Sequence, residues 1–159
     1  MHKRGMTLVE IVTVIAVIGV GIGIFYTTFL QNWWAFDDQL TRINLWQDAN
    51  EITRLFTDDA RASRQLAVAT TTDVSTATLT LPDGSSVVYS MRANGIFEIT
   101  RAGATAILSQ NVDFNNSSFE QVGNSLRLVL TLNDDILFGR RVAVTTSTQA
   151  FSRCIACTS

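Results

Sequence analysis

An apolar run close to the N-terminus is the feature that most constrains the fold of this chain. From Ile11 to Leu30 the sequence reads IVTVIAVIGVGIGIFYTTFL and contains no charged residue. About 20 apolar residues in a helix are enough to cross the hydrocarbon core of a bilayer. The sequence therefore predicts one transmembrane helix over residues 6–30, in contact with a lipid bilayer.

The charges on either side of the run predict its orientation. Lys3 and Arg4 precede it, whereas Asp37 and Asp38 follow it. Basic residues are retained on the cytoplasmic side of a membrane, so the N-terminus stays inside and the rest of the chain is exported. We expect a single-pass protein of the cytoplasmic (inner) membrane with an extracytoplasmic C-terminal domain.

Residues that common catalytic sites require are missing from the exported part. His2 is the only histidine and Lys3 the only lysine, and both precede the apolar run. A Ser-His-Asp triad, a Ser-Lys pair and a zinc site with histidine ligands are therefore excluded beyond it. The formal net charge of -2 also lacks the basic excess of nucleic-acid-binding proteins. The composition predicts a protein that is not an enzyme and has no cofactor, and it argues against a nucleic-acid partner.

Glu10 places a carboxylate next to the apolar run, in the stretch RGMTLVEIV. A cleaved secretory signal peptide does not explain this stretch, because the run is too long and no A-x-A site follows it. An ordinary signal anchor fits the length and the orientation. In that case Glu10 would reach the interface from a shallow depth, because burying a carboxylate in a membrane is costly.

The same stretch resembles the start of type IV prepilins and of the pseudopilins of type II secretion systems. The matching elements are a short basic leader ending in KRG, followed by MTLVE, in which a hydrophobic residue, Thr and Glu have the family's spacing. The resemblance implies that residues 1–5 are a leader and that a prepilin peptidase cuts between Gly5 and Met6. The peptidase would then methylate the new amino group of Met6, and Glu10 would be the family's characteristic glutamate.

This resemblance gives Glu10 a role in assembly. The N-terminal helices of such subunits bundle in the apolar core of a filament, where an unpaired ammonium and an unpaired carboxylate are each costly to bury. Glu10 would neutralise the amino group of Met6 in a neighbouring subunit. The pair would also set the axial register between the two helices.

The run departs from many major pilins in having no proline at its middle. It has Gly19, Gly21 and Gly23 instead. These glycines either loosen the helix during assembly or permit close packing between helices in a membrane.

Beyond the run, apolar residues recur at spacings of three and four with charged residues between them. Neither Pro nor Gly interrupts residues 26–66. The pattern predicts that residues 31–66 continue the first helix as an amphipathic one, so that about 60 residues would span roughly 90 Å. The predicted apolar face comprises Phe36, Leu40, Ile43, Trp46, Ala49, Ile52 and Phe56.

Residues 67–159 have the composition of a β domain, rich in Thr and Val. The tripeptide PDG at residues 82–84 predicts a turn, because Pro fixes φ and Gly accepts a positive φ. Residues 78–81 and 87–91 should therefore pair as a hairpin. With five or six antiparallel strands, the fold class is α+β, with the amphipathic half of the helix on one sheet face. Further candidate strands are residues 96–100, part of 107–114, 126–132 and 140–146.

The cysteines and paired acids predict no metal site. Cys154 and Cys157 have C-x-x-C spacing, but zinc would need two more ligands, and an oxidising compartment favours a small disulfide between them. Asp134 and Asp135, in a predicted turn, are too few ligands for calcium.

The strand segments loosely resemble the larger minor pilins and pseudopilins of the PilW and J type. The segments concerned are LTLPDGSSVVYSM, GIFEITR, AILSQNVDFNNSSF and LRLVLTL. We therefore expect a structural subunit of a type IV pilus or a secretion-type pseudopilus, and more specifically a minor one. Its partners would be the prepilin peptidase, other pilins or pseudopilins, and an inner membrane platform, and its final location would be the pilus or pseudopilus.

A second interpretation stays open, in which a signal anchor tethers an extracytoplasmic domain that binds carbohydrate or DNA, as in a competence-type apparatus. Losing the leader, with its two positive charges, would take the net charge from -2 to -4, which weakens attraction to DNA. A local basic patch would have to be formed by Arg92, Arg101, Arg127, Arg140 and Arg141.

Overall fold

A computed structural model describes residues 7–136 and 140–152. Its first element is a helix of 55 residues, α1, Leu8–Ala62. The chain divides into two units, residues 1–39 and residues 40–159, and α1 contributes to both. The predicted α+β fold, with a long N-terminal helix and an antiparallel sheet domain, is confirmed.

The first unit consists of the apolar part of α1. Every residue from Ile11 to Phe29 is exposed. The most apolar window of the helix has a mean hydropathy of 2.6, and none of that window is buried. Within the described residues, α1 is long and apolar enough to cross a membrane, as the sequence predicts.

The second unit combines the end of α1 with eight described strands in two antiparallel sheets. Strands β1 to β5 form the first sheet and β6 to β8 the second, with each strand paired to the next along the chain. A short 3-10 helix, Phe114–Asn116, separates the two sets. The strands are β1 Gln65–Thr70, β2 Val74–Thr80, β3 Ser86–Arg92, β4 Phe97–Arg101, β5 Ala104–Ser109, β6 Ser118–Val122, β7 Ser125–Ile136 and β8 Arg140–Phe151.

The predicted hairpin around the PDG turn is confirmed. In it, β2 pairs with β3 and Thr78 lies opposite Val88. Gly84 has a φ of 84°, as the turn requires. The Asp83 carboxylate accepts hydrogen bonds from the hydroxyl of Ser85 at 2.6 Å and from its N–H at 2.9 Å. These bonds lower the pKa of Asp83 and fix the turn.

The helix ends before the predicted boundary at Leu66. The hydroxyl of Ser63 donates to the carbonyl oxygen of Ala60 at 2.7 Å, which satisfies one of the free carbonyls of the last turn. The next N–H, of Arg64, donates to the carbonyl oxygen of Thr80 at 2.7 Å. The backbone therefore passes from helix to sheet within two residues, and β1 begins where the sequence predicts helix.

The prediction of five or six strands is too low. The strands β1 and β6 were not predicted, and both are short segments without strict alternation of apolar and polar residues. The hairpin of β7 and β8 also extends well beyond the predicted ranges, to Ile136 and Phe151. Its outer parts are rich in Thr, Ser and Asp, so hydrophobic periodicity does not mark them.

Gly95 lies where the turn between β3 and β4 meets the segment that leads to the second sheet. It has a φ of 86°, and a Cβ at this position would lie 3.2 Å from the carbonyl oxygen of Gln110. The N–H of Val112 donates to the Gly95 carbonyl at 2.9 Å, and the N–H of Asp113 donates to that of Thr131 at 2.8 Å. Backbone hydrogen bonds therefore tie the β3–β4 turn to β7, and both the φ and the close approach favour glycine.

The hydrophobic core of the described residues lies between α1 and the two sheets. Phe56 is fully buried there, with its ring 5.4 Å from that of Tyr89 in β3 and 5.8 Å from that of Phe119 in β6. Phe119 in turn lies 6.1 Å from Phe97 in β4. The aromatic rings thus connect the helix to both sheets. The helix residues buried in this core are Leu45, Ala49, Ile52, Phe56 and Ala60.

The prediction of the buried apolar face is correct at the C-terminal end of the helix and wrong for the residues before it. Ala49, Ile52 and Phe56 are buried, as predicted. The four earlier members of the predicted face are exposed, and Leu45 is buried in their place. Both sides of this part of α1 carry apolar residues, so periodicity alone does not determine which side packs on the sheets. The exposed members are Phe36, Leu40, Ile43 and Trp46.

Candidate functional site

The start of α1 is a capping box formed by Thr7 and Glu10. The backbone N–H of Thr7 donates to Oε2 of Glu10 at 2.9 Å, and the Thr7 hydroxyl donates to the same oxygen at 3.2 Å. In return, the Glu10 N–H donates to the Thr7 hydroxyl at 3.4 Å. This arrangement satisfies backbone donors that the first turn leaves free, and the carboxylate lies at the positive end of the helix dipole. Glu10 therefore has a local role that the sequence analysis missed, although T-x-x-E is a known signal for it.

Small residues interrupt the apolar side chains of the first unit. A Cβ added at Gly19, Gly21 or Gly23 would meet no other atom of this chain within 4 Å. The packing of this chain alone therefore does not require glycine at these positions. Glycines of this kind allow two membrane helices to approach closely.

The part of α1 in the second unit exposes an apolar side as well. Leu40, Ile43 and Trp46 are 44%, 52% and 50% exposed, whereas Leu45 and Ala49 beside them are buried in the core. At 100° per residue, the exposed and buried residues lie on roughly opposite sides of the helix. The second unit thus covers one side of this helix segment and leaves apolar side chains on the other.

A partly buried polar contact fixes the end of α1 to the first sheet. The hydroxyl of Tyr89 donates to Oδ2 of Asp59 at 2.6 Å. The guanidinium of Arg101 donates to both carboxylate oxygens of Asp59, at 2.7 and 2.6 Å. The Asp59 carboxylate on the helix therefore bonds to both β3 and β4. It also gives the Tyr89 hydroxyl in the core a hydrogen-bond acceptor.

This contact predicts a loss of stability in alkaline solution. Burial, and then the hydrogen bond to Asp59, raise the pKa of Tyr89 above its ordinary value of 10, with a further contribution from Asp58 and an opposing one from Arg101. Above pH 10 the unfolded chain releases this proton while the folded chain retains it. The stabilising effect is therefore complete below about pH 10, and stability falls above it by up to about 1.4 kcal/mol per pH unit.

Denaturant unfolding of the wild type and of Tyr89→Phe between about pH 9 and about pH 11.5 measures this slope. The variant is expected to lose the part of the slope that Tyr89 contributes. The same slope in both proteins would show that other groups cause the alkaline instability.

The five arginines of the possible basic patch are mostly engaged in separate ion pairs. The four that are paired each hold a carboxylate on another element, which reduces the positive charge that they could present together. These pairs are Arg92–Glu98 at 2.6 Å, Arg101–Asp59 at 2.6 Å, Arg127–Glu120 at 3.5 Å and Arg141–Asp135 at 3.1 Å.

Asp134 and Asp135 lie in β7 and not in the predicted turn. Asp134 accepts the N–H of Asp135 at 2.9 Å, and Asp135 pairs with Arg141. Among the described residues, no group of three or more His, Cys, Asp or Glu side chains is placed to hold a metal ion.

The comparison with known families bears on the N-terminal segment. Residues 1–26 match the model of the prokaryotic N-terminal methylation motif. The motif indicates a type IV pilin- or pseudopilin-type precursor. Neither among curated proteins nor among solved structures is there a match to this chain.

Pilin-type proteins with this motif are structural proteins. The motif implies processing by a prepilin peptidase and assembly with other pilins. Together with the apolar helix, it fits a membrane-anchored pilin.

Four predicted site residues lie outside the described residues. Gly5 and Met6, the predicted cleavage and methylation site, precede Thr7, the first described residue. Cys154 and Cys157, the predicted disulfide, follow its last residue, Ser152. Both assignments therefore remain predictions from the sequence.

Proposed function

We propose that this pilin-type protein is a minor pilin or pseudopilin, a structural subunit of a type IV pilus or of a type II secretion-like pseudopilus. The methylation motif over residues 1–26 carries the proposal, because it spans the predicted cleavage site, Glu10 and most of the apolar run. The proposal assigns no catalytic residue and no cofactor to the chain. An inner membrane platform would extract the processed subunit from the cytoplasmic membrane and add it to a filament.

Two exposed apolar surfaces support assembly through α1. In the first unit, the uncharged side chains and the glycines at positions 19, 21 and 23 suit both lipid and a bundle of neighbouring helices. In the second unit, the patch of Leu40, Ile43 and Trp46 is apolar although this part of the chain is expected to lie in water. Adjacent subunits would cover both surfaces in a filament.

The assignment to a minor subunit depends on the loose likeness of the strand segments to the PilW and J type and on the missing proline in the apolar run. The β domain would lie on the surface or at the tip of the filament.

The N-terminus of the purified protein tests the proposed function most directly. Mass spectrometry of the protein from cells with the prepilin peptidase should show a chain that starts at methylated Met6. Cells without the peptidase should yield the chain intact from Met1. Gly5→Leu, which removes the small residue before the cut, should leave residues 1–5 in place even when the peptidase is present.

A chain that keeps residues 1–5 in all these cells would contradict the proposal. It would support the other interpretation, an anchored extracytoplasmic domain that binds carbohydrate or DNA. A cut at Met6 without filament incorporation would support precursor processing and contradict the role as a subunit.

Glu10→Gln is expected to be processed normally and to enter filaments at least about tenfold less than the wild type, because it removes a charge and keeps the helix start. The amide oxygen of the substituted side chain can still accept the N–H of Thr7. The charge that would neutralise the Met6 amino group of a neighbour is lost, which leaves a buried ammonium unpaired. Quantitative immunoblotting of sheared filaments against cell membranes measures the incorporation.

Thr7→Ala is the matched control, because it removes the hydroxyl of the capping box and keeps the charge of Glu10. It should enter filaments close to the wild-type level. If Thr7→Ala were as defective as Glu10→Gln, the defect would come from the helix start. Normal incorporation of Glu10→Gln would show that the charge is not needed for register.

A further inference from the structure

A cleft in the second unit has no described residue of α1 in its lining and takes no part in the proposed assembly. It has a volume of about 300 Å³ and is bounded by the start of β1, the outer face of β2 and the turn between β6 and β7. Residue 152, which follows β8, completes its wall. A cavity of this size is at the lower end of the range for small-molecule sites.

Arg64 is the only charged residue among the described residues that line the cleft. Its side chain is exposed and makes no ion pair or side-chain hydrogen bond with a described residue, in contrast to the four paired arginines of the sheets. Within the same lining, no carboxylate competes for it. The local electrostatics therefore favour a ligand with one negative charge.

Neutral hydrogen-bonding groups surround this arginine. Thr78 and Thr80 are two residues apart on β2, so their side chains lie on the same face about 7 Å from each other. Gln65 and Asn124 add two side-chain amides to the lining. None of these four side chains bonds to another described residue, so all four are available to a ligand.

We propose that this cleft binds an acidic sugar, a single pyranose ring with one carboxylate. The carboxylate would accept hydrogen bonds from Arg64, and the ring hydroxyls would bond to the threonine hydroxyls and the amides. Its described lining has no aromatic residue and only Leu66 as a large apolar one, so it lacks the apolar anchor pocket at the centre of most protein interfaces. A single arginine is also too few for the backbone of a nucleic acid.

The ligand preference can be measured on the full-length protein, purified in detergent micelles. The probes are the methyl glycosides of glucuronic and galacturonic acid, their neutral counterparts from glucose and galactose, and acetate, all followed by ligand-observed NMR. At least one uronate is expected to bind at least about tenfold more tightly than its neutral counterpart, because a charge-assisted hydrogen bond is added. Acetate, which offers the charge alone, should bind more weakly than the uronate.

Matched variants connect the binding to the cleft. Arg64→Gln should reduce uronate affinity to that of the neutral sugar, and Thr78→Val with Thr80→Val should weaken both sugars. Arg54→Gln makes the same change of charge at an exposed residue on α1 outside the cleft, and it should leave the affinity unchanged. Circular dichroism confirms that each variant is folded.

Several results would overturn the proposal. These are equal binding of the uronate and the neutral sugar, equal losses in Arg64→Gln and Arg54→Gln, and acetate binding as tightly as the uronate. Tighter binding of a short acidic peptide would point to a protein partner. A variant that ends at Ser152 could bind the uronate at least about tenfold better than the full chain. That result would show that residues 153–159, and not a sugar, are the occupant of the cleft. None of these results depends on cleavage at Met6, so a failure here leaves the proposed function standing.

Discussion

Phe56→Ala is expected to lower the free energy of unfolding of the second unit by about 4 kcal/mol, since truncating a buried Phe removes apolar contact and leaves a cavity. Phe56 is fully buried on α1, between Tyr89 of the first sheet and Phe119 of the second. A domain of this size has only about 5–15 kcal/mol of stability, so the variant should be close to unfolding at about 37 °C. Urea unfolding followed by circular dichroism in the strand region measures the change.

Phe151→Ala is the control for that experiment. Phe151 is 66% exposed at the end of β8, so the same truncation should change the free energy of unfolding by less than about 0.5 kcal/mol. If both variants lost the same amount, burial between the helix and the two sheets would not explain the stability of the unit.

Asp59→Ala is expected to lower the free energy of unfolding by about 1–3 kcal/mol, because the change leaves the hydroxyl of Tyr89 in the core without its acceptor. An unpaired buried group of this kind costs about 1–3 kcal/mol. The loss of the Arg101 ion pair adds little, because the Arg101 side chain is 54% exposed and remains solvated. Urea unfolding of Asp59→Ala, Tyr89→Phe and the double variant measures the interaction between Tyr89 and Asp59. The losses of the two single variants should not be additive, because both remove the same hydrogen bond.

Asp58→Ala removes the same charge from an exposed neighbouring position on α1. It should leave the stability nearly unchanged at neutral pH. Equal losses for Asp58→Ala and Asp59→Ala, or full additivity of Asp59→Ala with Tyr89→Phe, would show that the tyrosine contact does not hold the helix to the sheet.

Local sequence signals predict the parts of this protein that depend on local physics. The apolar run predicts the exposed part of α1, and the PDG tripeptide predicts the hairpin of β2 and β3. The stretch MTLVE indicates the methylation motif that the family comparison identifies. In each case the signal and its consequence lie within a few residues of each other.

The remaining features depend on partners that are distant in the sequence. Arg101 lies 42 residues from Asp59, so neither residue type nor spacing marks their contact. The choice of Leu45 over Trp46 for the core depends on which side of the helix the sheets cover. The start of β1 depends on the hydrogen bond of Arg64 to Thr80 in β2. Such features appear only when the tertiary structure is known.

The capping box places two separate demands on the N-terminal motif. Thr7 and Glu10 supply hydrogen bonds to the first turn of α1, and both residues lie in the segment that matches the methylation motif. Serine could replace threonine and glutamine could replace glutamate in the helix start alone. A sequence that must also serve processing and assembly has to satisfy both sets of requirements at once. The stretch MTLVE therefore tolerates fewer substitutions than either the helix start or processing and assembly would allow alone. A mutational scan of this stretch measures both requirements together.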